Sequence, residues 1–105
     1  FGGTALNIAS VTITIPVSAY VTVHAGVDVR SGSTKTFQVY IYQDAVLKAN
    51  GSFQYLVDNN RYNASADYAA LLTVGTYSFQ LYAVNTVDTT ALTVGVPHIS
   101  AFASW

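Results

Sequence analysis

The 105-residue chain contains no cysteine, no methionine and no glutamate, and only 9% of its residues are charged. The absence of cysteine excludes disulfide frameworks, thiolate metal sites and cysteine nucleophiles. Average soluble domains carry about 25% charged residues, so this chain has less than half the usual amount. Its four Lys and Arg residues face five acids, all of them Asp. Four scattered cations cannot neutralise a phosphate backbone, so we predict no nucleic-acid partner.

Hydrophobic residues are abundant and make up 51% of the chain. This content excludes a disordered protein, and the length fits a single domain spanning residues 1–105. No apolar run approaches the roughly 18 residues of a membrane span, so we predict no membrane insertion. Because the chain starts at Phe1 and lacks methionine, we interpret it as the C-terminal part of a longer protein.

Val, Ile, Thr, Tyr, Phe and Trp account for 45 of the 105 residues and predict β-strands rather than helices. Apolar and polar residues alternate strictly from Val21 to Val29, as in a half-buried strand. The segment from Tyr62 to Leu72 is apolar on both faces in its second half, which predicts burial on both sides. Gln43–Ala45 and Asn50–Gly51 are typical of tight turns. Some eight short strands at this spacing predict an all-β, antiparallel sandwich or barrel.

The order of these segments resembles one family of trimeric domains. Residues 11–23, 37–47, 71–81 and 99–105 are similar in pattern to the jelly-roll heads of the tumour necrosis factor and complement-head superfamily. In those heads the closing strand runs to the chain terminus through the centre of a trimer. The resemblance implies a jelly-roll β-sandwich of about eight antiparallel strands that assembles as a homotrimer.

The composition, poor in charge and rich in Ala, Thr, Ser and Val, is similar to that of the C-terminal tips of bacteriophage tail fibres and bacterial surface fibres. This resemblance implies a receptor-binding or adhesion tip, located extracellularly or on a virion surface. Its partners would be two further copies of itself and a cell-surface glycan or protein. Two alternatives stay open, a monomeric carbohydrate-binding module and a structural trimerisation domain without a ligand.

Two groups of residues are candidates for contacts. Carboxylate, amide, guanidinium and aromatic groups bind sugars through directed hydrogen bonds and ring stacking. The ligand-binding candidates are therefore Asp58, Asn59, Asn60, Arg61 and Tyr62, with the polar segments 30–35 and 85–90 as weaker ones. Aromatic residues on second strand faces favour a subunit interface. The candidates for the trimer interface are Tyr40, Tyr42, Phe102 and Trp105.

No residue pattern points to catalysis, a metal or a cofactor. No nucleophile elbow surrounds any serine, and the glycines lack phosphate-loop spacing. The two histidines, His24 and His98, stand apart from any closely spaced ligand motif, so we interpret them as structural or interface residues. The sequence predicts a protein that is not an enzyme and needs no cofactor.

Overall fold

The computed structural model describes residues 6–30, 35–56, 61–85, 93–94 and 96–105, and these form eight β-strands. The strands are β1 (Leu6–Ile15), β2 (Ala19–Arg30), β3 (Lys35–Gln43), β4 (Val46–Leu56), β5 (Arg61–Leu72), β6 (Gly75–Asn85), β7 (Thr93–Val94) and β8 (His98–Ser104). Within these ranges no helix is long and apolar enough to cross a membrane.

The strands pair into two antiparallel sheets. Sheet A has the order β1–β6–β3–β4. In sheet B, β2 is central: β5 pairs with one edge of it, and β7 and β8 pair with the other. The predicted all-β, antiparallel fold is confirmed, and the two sheets are compatible with a β-sandwich.

Strict alternation along the strands creates the core between the sheets. From sheet A, β3 and β6 supply the largest buried side chains, among them Phe37 and Phe79. From sheet B, the inward row of β2 is fully buried from Ala19 to Val27. The core residues are Ile15, Ala19, Val21, Val23, Ala25, Val27, Phe37, Val39, Ile41, Ala64, Ala66, Phe79, Leu81 and Ala83. Their burial fixes which face of each strand points outward.

The predicted turn at Asn50–Gly51 is wrong, because both residues lie inside the continuous strand β4. The glycine is needed there for a different reason. A Cβ atom on Gly51 would sit 2.6 Å from the Cβ of Ala66 on β5, far closer than real atoms approach. Gly51 therefore allows β4 and β5 to come close together where the two sheets meet along one side.

The predicted turn at residues 43–45 is confirmed as the connection between β3 and β4. Asp44 and Ala45 both have positive φ, 48° and 69°, as a two-residue hairpin with a type I′ turn requires. Asp44 also fastens the turn to β6, since its backbone N–H donates to the Ser78 carbonyl at 2.8 Å. The Ser78 N–H donates in return to Asp44 Oδ1 at 3.0 Å.

Candidate functional site: two aromatic surfaces on opposite sheets

The predicted ligand-binding segment lies mostly outside the described residues. Asp58, Asn59 and Asn60 fall in the gap between β4 and β5. Arg61 and Tyr62 begin β5, where their backbones pair with Arg30 and Val29 of β2, and their side chains are outside the described part. The assignment of this segment to ligand binding stays a prediction. The cores of the two weaker candidate segments, 31–34 and 86–90, also lie outside the described residues.

The four predicted interface residues lie on two different sheets. Tyr40 and Tyr42 belong to β3 in sheet A and alternate with buried core residues, so their side chains lie on the outer face of that sheet. Phe102 lies on β8 in sheet B, and Trp105 follows the end of that strand. The four residues therefore form two separate surfaces on opposite sides of the molecule.

The first surface, which we call the apolar end, lies at one end of sheet B. Tyr20, Leu71 and Phe102 are 59%, 66% and 58% exposed on its outer face, and Trp105 is 74% exposed just beyond β8. Val17 and Val74, in the connections at the same end, complete the set. Six of the nine large exposed hydrophobic residues in the described chain thus lie at this end of sheet B.

The strand register explains why residues far apart in sequence meet at the apolar end. Tyr20 pairs with Leu71 of β5 on one side and with Ser104 of β8 on the other. Thr22, on the same face of β2, pairs with Phe102. The outer face of β5 is not buried within the single chain, because Leu71 and its outward neighbour Ala69 are exposed. The predicted burial of β5 on both sides is therefore not found within the single chain.

The other part of the outer face of sheet B is polar. His24 Nδ1 lies 2.5 Å from Asp67 Oδ1, and both side chains are more than half exposed. The His24 ring also lies 6.2 Å from the Phe102 ring, so the His24–Asp67 hydrogen bond borders the apolar end. Local sequence patterns do not reveal this pair, because its members are 43 residues apart and only the β2–β5 register brings them together.

The second surface, which we call the tyrosine cluster, consists of Tyr40, Tyr42 and Tyr82 on the outer face of sheet A. Tyr40 pairs directly with Tyr82 across β3 and β6. The rings of Tyr42 and Tyr82 are 4.3 Å apart between centroids, with an angle of 34° between their planes. The three side chains are half-buried.

The remaining tyrosines with described side chains on β5 and β6 have structural roles. The Tyr77 hydroxyl donates to the Thr73 carbonyl at 2.8 Å and fastens the β5–β6 connection. Tyr68 packs against the core, and its hydroxyl donates to Gln43 Oε1 at 3.5 Å.

His98 lies over Gly26, where its Cε1 would be 2.7 Å from an added Cβ.

No three His, Asp or Glu side chains of the described ranges are grouped so that they could hold a metal ion. We find no match between this chain and any protein-family model, curated protein or solved structure.

Proposed function

We propose that this chain is the receptor-binding or adhesion head of a trimeric fibre, exposed outside the cell or on a virion. Its partners are two copies of itself and a cell-surface glycan or protein. The observation that supports assembly is the apolar end of sheet B. Large exposed apolar patches usually mark interaction surfaces. A strand that is apolar on both of its faces requires a covering layer on each of them.

The order of the strands supports a jelly roll. Successive strands lie on opposite sheets, except at the β3–β4 hairpin and at the short step from β7 to β8 along one edge of β2. Jelly rolls are double-sheet folds of this kind, built from two interlocked Greek keys. Among the described strands, β8 pairs only with β2.

The position of the apolar end supports a cyclic homotrimer. The trimeric heads that the sequence resembles place their closing strand at the centre of the assembly. Here the last strand, β8, presents Phe102 outward, and exposed Trp105 follows it. Burying roughly 1,000 Å² of apolar surface per chain would contribute on the order of 25 kcal/mol before the costs of association are subtracted. A closed ring buries the same surface on every copy.

One alternative is favoured by a specific observation. A monomeric carbohydrate-binding module would use an aromatic surface on a sheet to bind sugar, and the tyrosine cluster is such a surface. This alternative predicts a single-chain mass, and it leaves the apolar end without a role. A structural trimerisation domain predicts the same three-chain mass as the adhesion head and differs from it in binding no receptor.

A matched pair of charge substitutions tests the proposed assembly. Phe102→Asp places a charge on the apolar end, whereas Thr12→Asp places the same charge on the exposed outer face of β1 in sheet A. We expect sedimentation velocity to give a three-chain species for wild type and Thr12→Asp, and a single-chain species for Phe102→Asp. Far-UV circular dichroism checks that both variants keep their strands. A folded Phe102→Asp variant that stays trimeric would refute the role of the apolar end.

A further inference from the structure

We propose that the tyrosine cluster binds a neutral oligosaccharide. This inference rests on the proposed function, because it chooses a glycan rather than a protein as the receptor and gives its binding site. It moves the ligand from the segment around Arg61 to the outer face of sheet A. It also removes Tyr40 and Tyr42 from the subunit interface, which leaves that role to the apolar end.

The ring geometry suits contact with a sugar. At 4.3 Å and 34°, the rings of Tyr42 and Tyr82 pack against each other and present one partly exposed aromatic surface. Tyr40 lies beside Tyr82 in the register, so the three aromatic side chains form a continuous patch across β3 and β6. The apolar C–H faces of a sugar ring pack on aromatic surfaces of this kind.

Hydrogen-bonding groups beside the rings are free for a ligand. The Tyr40 hydroxyl donates to Gln38 Oε1 at 3.1 Å, which fixes this side chain in place. Within the described part of the chain, the hydroxyls of Tyr42 and Tyr82 and the amide of Asn50 have no hydrogen-bond partner. Sugar hydroxyls both donate and accept, so they can satisfy phenol and amide groups alike.

The neighbours of the tyrosine cluster favour a neutral ligand. Its cross-strand neighbours are three amides and one apolar residue, namely Asn7, Gln80, Asn50 and Leu47. None of them is charged, and one cation, Lys48, lies near them along β4. Phosphate or sulfate groups require several cationic donors. A protein partner would favour the aliphatic and aromatic composition of the apolar end, which the amides around the cluster do not supply.

The test begins with the wild-type protein on an array that carries neutral oligosaccharides of glucose, galactose, mannose and N-acetylglucosamine, together with sialylated and uronic-acid glycans. The neutral glycan that binds is then titrated in solution by calorimetry, with affinity expressed per chain. We expect Tyr42→Ala and Tyr82→Ala each to weaken binding by about tenfold or more. Tyr42→Phe keeps the stacked ring and separates its contribution from that of the hydroxyl. Thr12→Ala, at an exposed position on the outer face of β1 and outside both surfaces, is the control and should leave the affinity unchanged.

The single tryptophan adds a second measurement. Trp105 adjoins sheet B, so glycan binding at the tyrosine cluster should leave its fluorescence unchanged. Failure of the proposal takes three forms: no neutral glycan binds, only acidic glycans bind, or Tyr42→Ala and Tyr82→Ala retain full affinity. Light scattering on the same samples separates the two proposals. A trimer that binds no glycan overturns this inference alone, whereas a monomer whose binding depends on Tyr42 overturns the trimer alone.

Discussion

Replacing Gly51 with alanine tests how closely the two sheets approach each other at β4 and β5. The added Cβ would lie 2.6 Å from both the Ala66 Cβ and the Val39 Cγ2, and 2.7 Å from the Ser65 carbonyl oxygen. Overpacking of this kind typically costs about 1–3 kcal/mol, and the backbone oxygen cannot move aside, so we place Gly51→Ala near the upper end. Alanine recovers about 0.5–1 kcal/mol relative to glycine in a strand, which leaves a net loss of about 2 kcal/mol.

Thermal unfolding followed by circular dichroism at fixed protein concentration measures this loss. For a domain of this size 1 kcal/mol corresponds to about 4–8 °C, so we expect Tm to fall by roughly 8–16 °C. Gly26→Ala is the matched control, because its Cβ would meet the exposed His98 side chain at 2.7 Å, which can swing away, and the nearest backbone atom, the Ala64 oxygen, only at 3.3 Å. Its expected change is within about 0.5 kcal/mol.

A double substitution sharpens the same test. Adding Ala66→Gly to Gly51→Ala removes one of the three clashes, so the pair should be less destabilised than the sum of the two single variants. Strict additivity, or a Gly51→Ala protein as stable as wild type, would refute the close approach of β4 to β5. The glycine inside β4 would then not be required by contact between the sheets.

Four further substitutions test local features by the same unfolding measurement. Ala45→Gly should stabilise the protein by about 1 kcal/mol, because alanine at φ 69° is strained. The control Ala69→Gly, on an exposed strand face, should destabilise the protein by about 0.5–1 kcal/mol. Equal effects of the two substitutions would contradict the turn geometry. Phe79→Ala should cost about 3–5 kcal/mol because the ring is fully buried, and a loss below 1 kcal/mol would contradict the core assignment. Asp67→Asn should change the unfolding free energy by less than about 1 kcal/mol, because the Asp67 and His24 side chains are both exposed and hydrated. A larger loss would mean that the two side chains are buried in an assembly.

Local sequence patterns predicted the strands well because burial on one face produces a two-residue period. The alternation from Val21 to Val29 lies within β2, and the turn at residues 43–45 is the β3–β4 hairpin. The Asn50–Gly51 signal failed because the same dipeptide can serve a turn or a close contact between sheets. In this chain the cause is Ala66, on a different strand in the other sheet, which a local pattern does not contain.

The candidate surfaces were harder to predict because they depend on which strands become neighbours. Tyr40 and Phe102 both lie on second strand faces, yet the pairing places them on opposite sheets. Tyr82 joins Tyr40 through the β3–β6 register, and Leu71 joins Tyr20 through the β2–β5 register. Each contact joins residues far apart along the chain, so alternation alone identifies exposed aromatic residues without showing how they are grouped.

The mass of the unmodified protein in solution tests the central proposal, assembly through the apolar end, most directly. Multi-angle light scattering after size-exclusion chromatography, repeated over a wide range of protein concentration, gives that mass without any substitution. We predict a mass three times that of the 11.2 kDa chain, with Trp105 emission shifted to the blue as the assembly forms. A mass of one chain at every concentration, with Trp105 emission typical of an exposed indole, would contradict assembly through the apolar end.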